Sequence, residues 1–389
     1  MLDQIMSPSP PGIIFTMRYP NNSGYVSTTV AKHRDLVARA LGRSAKCLIA
    51  YPRVVDRPVY EPQWLETIKA DFYDYSNENC DILASVIRQY HVQLIVFMSA
   101  EAKTVNLKLL RQLGVRTVNT ENDSYDHKSR NSLHLGTSKY LVRRVLQYGL
   151  HDTYVANSVG QFEFLRRFAK IPPTRLVLIS DGVDTSHFIP AASSRASLET
   201  GLDPGRLWIM SASQARPEKR LEFVIEAARR ILATRPDQNI GFVHVGDGEC
   251  LSRWRETAVS QGLGDRFRFV GYRADLAPFF QASSIFAHAA IRESFGLVIV
   301  EAMSCGLPVI ATTAAGPQET IQHGKTGFLV PPDDIEKFTF ALQRYIDDQS
   351  LRKLHGANGR ERAQNLYSIE HQATKFAELL QGKLSPAIV

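Results

Sequence analysis

Short apolar runs alternate with amphipathic stretches along the first half of the chain, which is the rhythm of βαβ units in parallel sheets. Each run has the length of a buried strand, and the stretches between them repeat apolar residues at helical spacing. The runs predict strands at 13–15, 47–50, 94–98, 117–120, 153–156 and 176–179. The amphipathic stretches predict helices at 28–41, 82–90, 105–113, 139–148 and 159–168.

Apolar periodicity is weak over residues 184–205, a segment rich in Ser, Ala and Pro, and the alternation then begins again. We interpret this segment as an interdomain hinge. Beyond it, the pattern predicts strands at 207–212, 241–245, 267–270, 284–288 and 308–311. It predicts helices at 220–232, 251–261, 297–304, 335–347 and 369–381.

Two successive α/β units account for this pattern and for the length of 389 residues. We expect a first domain at 1–185, a hinge at 186–205, a second domain at 206–365, and a C-terminal helix at 366–389 that packs back on the first domain. In doubly wound sheets, ligands bind at the carboxyl ends of the strands. The ligand is therefore expected at that edge of the sheets.

The composition is that of a globular protein, with 44% hydrophobic and 22% charged residues. No window approaches the ~18 apolar residues that a membrane span requires. The cysteines are far apart in sequence, so neither a zinc site nor a disulfide framework is indicated. These features favour a reducing, cytoplasmic environment.

The positive charge is concentrated in the first half of the chain. Residues 1–190 hold 23 Lys and Arg against 17 Asp and Glu, whereas the remainder holds 23 against 22. A solvated surface explains this surplus, and so does attraction to an anionic acceptor or to the inner face of a membrane. Cationic stretches at 139–144 and 164–168 suit a peripheral membrane contact. No nucleic-acid-binding motif accompanies the charge, so no nucleic acid is expected as a partner.

The densest chemical signal is the segment 288–311, HAAIRESFGLVIVEAMSCGLPVIA. It predicts a strand, a loop, a helix that ends at Gly306, and a second strand. The loop at 293–296 offers free backbone N–H groups at a helix N-terminus, which suits a phosphate, and Gly296 permits close approach. Glu293 and Glu301 could both face one ligand, although a helix cap and a surface residue are the plainer interpretations of the two.

This segment resembles the E-x7-E signature of glycosyltransferase family 4, a family of retaining enzymes with the GT-B fold. Residues 314–319 (AAGPQE) and 324–330 (GKTGFLV) resemble two further segments of that family, and upstream matches occur at 181–184, 217–219, 245–249 and 269–271. The resemblance is strong over residues 180–335 and weak before them. It implies an α/β fold of GT-B architecture, with two Rossmann-like domains facing each other across a cleft.

By position, the resemblance also implies roles in donor binding. Lys219 aligns with the family lysine that pairs with the nucleotide diphosphate, a role that suits a mobile point charge. Glu293 would hold the sugar and Glu301 the ribose. Where the family usually has arginine, this chain has Gln214, and the cations that could replace it are Arg216 and Arg292. The backbone amides predicted to face the diphosphate are those of Ser294, Phe295, Gly296 and Leu297.

The nucleotide base is expected near two glycine-containing turns. Gly246 lies in a turn that can pass close to a nucleotide. Gly271 follows the next strand, where the family holds the base by backbone and stacking contacts, and Tyr272 could contribute its ring or simply pack.

Two family features are altered in the first domain. Of the Gly-Gly pair that the family usually carries after the first strand, only Gly24 remains. After the strand at 117–120, many members carry a His-Asp pair, whereas this chain has Asn122 before the aspartate. Asparagine can hydrogen-bond a sugar hydroxyl but cannot titrate, so Asn122 is predicted to position the sugar. His127, further along the same loop, is the alternative.

The resemblance implies a retaining glycosyltransferase that moves a hexose from a nucleotide-diphosphate sugar to a hydroxyl acceptor in glycan or glycolipid assembly. UDP-sugars are favoured as donors, and neither a cofactor nor an obligatory metal is expected. The positive charge of the first half is compatible with an anionic or lipid-linked acceptor. A mannosyltransferase that uses GDP-mannose, a catalytically weak sugar-nucleotide-binding protein and a membrane-interaction module remain alternatives. A paired-carboxylate hydrolase fits less well, because the surroundings of Glu293 favour phosphate.

Overall fold

The computed structural model describes residues 9–22, 24–74, 76–99, 106–121, 150–191 and 193–384. The chain forms two compact units. The first comprises Met1–Ser180 together with Glu370–Val389, and the second comprises Asp181–Ile369. The chain therefore passes between the units twice, after Ser180 and after Ile369. The predicted helix at 139–148 lies outside the described residues.

A parallel sheet forms the centre of the first unit. Its strands are β1 (Gly12–Thr16), β2 (Lys46–Tyr51), β3 (Glu66–Lys69), β4 (Val92–Met98), β5 (Arg116–Glu121), β6 (Thr153–Ala156) and β7 (Leu176–Leu178). They lie in the order β3-β2-β1-β4-β5-β6-β7. The pattern of apolar runs missed β3, because this edge strand is half covered and three of its residues are exposed.

Helices cover this sheet, and alternate residues of β1 enter different apolar clusters. Ile14 packs with one cluster, whereas Ile13 and Phe15 pack with another that includes Phe376 and Leu380 of the C-terminal helix. That last helix therefore completes the core of the first unit. The described helices of this unit are Gly24–Leu41, Asn77–Gln89, Leu107–Gln112, Val159–Arg167 and Ile369–Gln381.

The second unit contains another parallel sheet. Its strands are β8 (Leu207–Ala212), β9 (Ile240–Val245), β10 (Phe267–Phe269), β11 (Ile285–His288), β12 (Val309–Thr312) and β13 (Gly327–Val330). They lie in the order β10-β9-β8-β11-β12-β13, which is the 3-2-1-4-5-6 order of a Rossmann fold. The strands read as near-continuous apolar runs because both faces of the sheet are covered.

The sequence pattern predicts four helices of the second unit with bounds that agree with the structure to within two residues. The described α-helices are Ser193–Thr200, Leu221–Thr234, Leu251–Ser260, Ala277–Gln281, Leu297–Ser304, Ala315–Thr320, Ile335–Asp347 and Gln349–Tyr367. The helix Leu297–Ser304 ends where Gly306 adopts a φ of 79°. There the amide of Leu307 donates to the carbonyl of Ala302 at 3.0 Å, which closes a Schellman turn.

The segment 186–205, for which composition predicts an irregular hinge, is instead part of the second unit. It contains the helix Ser193–Thr200. Phe188 and Leu202, on either side of that helix, are 4% and 2% exposed and belong to the core. The apolar residues here are too widely spaced to give a helical pattern. Phe188, Ala196 and Leu202 nevertheless fill core positions, whereas Leu198 is exposed.

The helix Gln349–Tyr367 was not predicted, because Gly356 and Gly359 interrupt its pattern. In the structure, both glycines face the helix Leu297–Ser304 and its C-terminal turn. A Cβ on Gly356 would lie 2.1 Å from the carbonyl oxygen of Gly306. The two glycines therefore allow backbone to pack directly on backbone at this crossing.

Candidate functional site

The order of the second sheet reverses between β8 and β11, because β9 and β10 extend it in one direction and β12 and β13 in the other. Ligands of such sheets bind at the carboxyl ends of the strands at this reversal. Lys219 lies on the segment that follows β8, and Glu293 on the segment that follows β11. The structure therefore brings together two residues that the sequence predicts to bind the donor.

The segment that carries Lys219 is anchored by its neighbour. Lys219 ends a short 3-10 turn, and Arg220 adopts the left-handed region with a φ of 48°. This conformation costs a non-glycine residue about 1–2 kcal/mol, so it requires compensating contacts. The Arg220 guanidinium donates to the carbonyl of Pro332 at 2.7 Å and to Asp333 Oδ1 at 3.0 Å. These bonds fix the point from which the Lys219 side chain leaves the backbone.

An ion pair joins the two segments. Lys219 Nζ lies 2.7 Å from Glu293 Oε2, and both side chains are largely buried, with 19% and 14% of their areas exposed. The amide of Ile291 donates to the carbonyl of Glu218 at 2.9 Å, so the backbone also holds the segments together. His288, the last residue of β11, places Nε2 3.2 Å from the same Glu293 oxygen.

The Glu293 carboxylate is ionised at neutral pH. Burial raises the pKa of Glu293, but the hydrogen bond from His288 and the charge of Lys219 outweigh burial and lower the pKa from 4.5 to about 2. An ionised carboxylate only accepts hydrogen bonds, so Nε2 of His288 must carry the proton between them. Glu293 can therefore accept hydrogen bonds from ligand hydroxyls, whereas it cannot serve as a proton donor near pH 7.

The loop after Glu293 leads into a helix N-terminus. Gly296 turns the chain with a φ of 90°, and the helix Leu297–Ser304 begins at the next residue. The first N–H groups of any helix lack partners inside it, and the positive end of the helix dipole lies there. The loop rests on Gly316, whose amide donates to the Glu293 carbonyl at 2.9 Å and whose added Cβ would lie 2.3 Å from the Phe295 carbonyl oxygen. Glycine at 316 therefore sets the position of the loop.

Gly246 and its neighbour Gly248 serve the packing of loops at the same edge. A Cβ on Gly246 would lie 1.9 Å from the carbonyl oxygen of Ser213, and one on Gly248 would lie 2.8 Å from that of Ala215. The amide of Gly246 also donates to the carbonyl of Gly271 at 2.9 Å. These glycines hold together the loops that follow β8, β9 and β10, and contact with a nucleotide stays a prediction.

Four further predicted residues lie on the loops that follow β8, β10 and β11. Gln214, Arg216 and Tyr272 are exposed, and Arg292 is half-buried. The amide of Arg216 donates to the carbonyl of Gln214 at 2.8 Å, so this part of the loop is a tight turn. Replacement of the family arginine by Arg216 or Arg292, and a base contact by Tyr272, stay predictions.

Two residues that the sequence predicts to contact the donor are almost completely buried. Glu301, for which a surface position was the plainer interpretation, is 1% exposed inside the helix Leu297–Ser304, so that interpretation is wrong. Phe295 is also 1% exposed and lies edge to face with Tyr367 at 5.4 Å between ring centroids. The side chain of Phe295 belongs to the core, which leaves only its backbone for a ligand. Ser294 and Leu297 are half-buried at the helix start.

Three predicted residues, Gly24, Asn122 and His127, belong to the first unit. Gly24 begins the helix Gly24–Leu41, directly after the loop that follows β1. Asn122 and His127 lie outside the described residues, so their proposed contacts with the sugar stay predictions.

Of the two cationic stretches, 139–144 lies outside the described residues. In the other, Arg166 and Arg167 both form ion pairs with Glu163, at 2.7 Å and 2.5 Å. The positive charge of that stretch is thus partly neutralised. Among the residues that the structure describes, no helix combines the length and the hydropathy of a membrane span. Over the same residues, no group of three or more His, Cys, Asp or Glu side chains could hold a metal ion.

Sequence reasoning did not assign roles to His288, Arg220 or Gly316. His288 stands at the end of an apolar run, where a histidine is more often a core residue than a functional one. Its position five residues before Glu293 was the one available signal. The left-handed backbone of Arg220 leaves no mark in the sequence. Gly316 lies in the segment 314–319, which resembles the family, but the resemblance did not indicate its contact with the loop at 293–296.

Solved structures that resemble this chain in fold include a sucrose-phosphate synthase and several glycosyltransferases. The chain superposes on sucrose-phosphate synthase (tll1590) from Thermosynechococcus elongatus with a TM-score of 0.77 and 21% identity, over 96% of this chain and 98% of that one. It superposes on Anabaena Alr3699/HepE in complex with UDP-glucose with a TM-score of 0.76 and 21% identity, over 95% and 99%. The predicted GT-B fold class is therefore confirmed. Residues 195–362 match the family model "Glycosyl transferases group 1". The matched region lies within the second unit and is similar in sequence to glycosyltransferases.

Curated relatives belong to the same class. The chain is 28% identical over 255 residues to the lipopolysaccharide core biosynthesis mannosyltransferase LpsB of Rhizobium meliloti (strain 1021), a match that covers 64% of this chain and 69% of LpsB. It is 30% identical over 234 residues to the D-inositol 3-phosphate glycosyltransferase of Rhodococcus jostii (strain RHA1), covering 58% of this chain. The chain spans about half the length of that relative, 52%.

Proposed function

We propose that the protein is a retaining glycosyltransferase of family 4 that transfers a hexose from a nucleotide-diphosphate sugar to a hydroxyl acceptor. The observation that carries this proposal is the Lys219–Glu293 pair at the reversal of the second sheet, beside the N-terminus of the helix Leu297–Ser304. A cation and a helix N-terminus suit a diphosphate, and a fixed carboxylate acceptor suits sugar hydroxyls. One ligand that carries both groups explains why they lie together.

The reaction transfers the anomeric carbon from one oxygen to another. The bond between that carbon and the diphosphate oxygen breaks, the acceptor hydroxyl forms the new bond on the same face, and a diphosphate oxygen takes the hydroxyl proton. Lys219 and the amides of the helix N-terminus stabilise the charge that develops on the leaving diphosphate. Glu293 holds the sugar in this scheme. The ribose contact of Glu301 and the sugar contact of Asn122 stay predictions from the family resemblance. No residue is required to act as a general base in this scheme.

A UDP-sugar is the favoured donor, in glycan or glycolipid assembly. The HepE structure contains UDP-glucose, which supports a uridine nucleotide. The name of LpsB, a mannosyltransferase of lipopolysaccharide core biosynthesis, supports the alternative of GDP-mannose and an envelope glycan as acceptor. The basic character of residues 1–190 favours an anionic or lipid-linked acceptor and a peripheral contact of the first unit with the membrane.

A paired-carboxylate hydrolase requires one carboxyl group that is protonated near neutral pH. The lowered pKa of Glu293 argues against that role. A sugar-nucleotide-binding protein without activity has the same donor site and differs only in turnover, so the experiment must measure transfer.

The test combines donor binding with turnover. A thermal-shift panel of UDP-glucose, UDP-galactose, UDP-N-acetylglucosamine and GDP-mannose identifies the donor, because a ligand at 100 times its dissociation constant adds about 2.7 kcal/mol of stability. Release of labelled sugar from that donor, to water or to an added acceptor, measures turnover. Lys219→Ala should lower kcat about 100-fold or more, since the loss of one contact to developing charge often has this effect.

Lys353→Ala is the matched control, because Lys353 is an exposed lysine on a helix of the same unit. It should leave turnover unchanged. A Lys219→Ala enzyme with the normal kcat would refute the assigned role. Donor binding by the wild type without any turnover would favour the binding protein instead.

A further inference from the structure

His288 is a buried polar residue at the centre of the candidate site, and the mechanism above does not use it. It ends β11, is 3% exposed, and its ring stacks on Phe286 with 6.2 Å between centroids and an interplanar angle of 18°. The stacking and the rigid strand restrict the ring to one orientation. In that orientation, Nε2 lies 3.2 Å from Glu293 Oε2.

Glu293 Oε2 thus receives hydrogen bonds from two donors of very different mobility. Lys219 reaches it at 2.7 Å with a flexible four-carbon chain, whereas His288 reaches it with a ring fixed to the sheet. The proposed function requires Lys219 to interact with the leaving diphosphate. As its ammonium group moves toward that charge, the bond from Lys219 to the carboxylate lengthens, and a largely buried carboxylate needs another partner.

We propose that His288 is a positioning residue, which keeps the Glu293 carboxylate aimed at the donor sugar while Lys219 shifts toward the diphosphate. This inference rests on the proposed function and adds to it one residue that acts through Glu293. The lysine is then free to change partners during turnover, because the imidazole alone fixes the direction of the carboxylate. The ring acts through Glu293 and does not itself touch the reacting atoms.

Two amide substitutions separate this role from simple core packing. In His288→Gln the side-chain amide nitrogen extends to the place of Nε2 and can donate to Glu293, whereas in His288→Asn it stops near the place of Nδ1. Both variants introduce the same neutral polar group at the same buried position. They differ chiefly in reach, so each is the control for the other.

The measurements are kcat and KM for transfer, and the dissociation constant of the free nucleoside diphosphate, UDP or GDP according to the donor panel. A hydrogen bond to a charged group accounts for roughly a tenfold change or more, so His288→Asn should lower kcat by at least about tenfold and His288→Gln by less than about threefold. Affinity for the nucleoside diphosphate, which lacks the sugar, should stay within about twofold in both variants. The thermal midpoints of the two variants should be alike.

Equal kcat values in His288→Asn and the wild type would overturn the inference. So would a parallel loss of nucleoside diphosphate affinity and kcat, because that result indicates a general packing defect. If His288→Asn does not fold, the Gln variant decides alone, and a loss above tenfold at normal diphosphate affinity contradicts the role of the Nε2 donor. A wild-type protein that binds neither nucleotide and transfers no sugar would instead refute the proposed function, and the inference with it.

Discussion

Two glycines of the helix Gln349–Tyr367 provide a matched test of how tightly the second unit is packed. A Cβ on Gly356 would lie 2.1 Å from the carbonyl oxygen of Gly306, whereas a Cβ on Gly359 would lie 3.4 Å from Met303 Cγ, an ordinary van der Waals contact. The Gly306 carbonyl belongs to the Schellman turn that ends the helix Leu297–Ser304, so it cannot move without breaking that turn.

The same substitution should therefore have opposite effects at the two positions. Alanine is favoured over glycine in a helix by about 1 kcal/mol, so Gly359→Ala should be neutral or slightly stabilising. Gly356→Ala gains the same propensity but forces two helices apart, and overpacking of this kind costs about 1–3 kcal/mol, or more where backbone must move. For a unit of this size, 1 kcal/mol corresponds to about 2–4 °C in the melting temperature, so the variants should differ by several degrees.

Thermal unfolding followed by the emission of Trp208 and Trp254 would measure the difference, since both indole rings are fully buried in the second unit. Both variants should be compared with the wild type in the same buffer. If Gly356→Ala melts with or above Gly359→Ala, the close approach of these two helices is incorrect.

Gly316→Ala should weaken donor binding and lower kcat/KM about tenfold or more, because the added Cβ displaces the loop that carries Glu293. Gly205→Ala is the control, since its Cβ meets only ordinary contacts. Equal kcat/KM values in the two variants would contradict this role of Gly316. His244 is fully buried, and burial lowers its pKa from 6.5 to about 3. Between about pH 3 and pH 6.5, His244 therefore carries a proton in the unfolded chain but not in the folded one. The equilibrium constant for folding should fall by up to tenfold per pH unit as the pH falls from about 6.5 toward 3. The urea midpoint should fall less between pH 7 and pH 5 in His244→Gln than in the wild type. An equal fall in the two proteins would exclude this contribution of His244.

The sequence pattern predicts much of the second unit because its strands and helices have the periodicity that burial imposes. The helices Leu297–Ser304 and Ile335–Asp347 are predicted at their observed bounds, since each has a continuous apolar face and a clear end. The helix Gln349–Tyr367 and the strand Glu66–Lys69 were missed for the opposite reason. In the first, the contact is made by glycine backbone, and in the second, an edge strand has little apolar area to bury.

The sequence predicts several residues of the candidate site, but it does not predict which of them contact one another. Lys219 and Glu293 are 74 residues apart, and only the order of the strands brings their loops together. The third partner, His288, could not be distinguished from a core histidine, because its function depends on the orientation of its ring. Residue types and spacing thus indicate which groups are present, and the sheet determines which of them meet.

The discontinuous first unit has a consequence for synthesis of the protein on the ribosome. Phe376 and Leu380, near the C-terminus, complete the apolar cluster that contains Ile13 and Phe15. The segment Asp181–Ile369, by contrast, is continuous and has its own core. During translation, the unit that begins first therefore lacks part of its core until the last helix emerges, whereas the second unit can fold beforehand. A chain truncated after residue 369 and released from the ribosome should thus hold a folded second unit and a first unit that still exposes apolar surface.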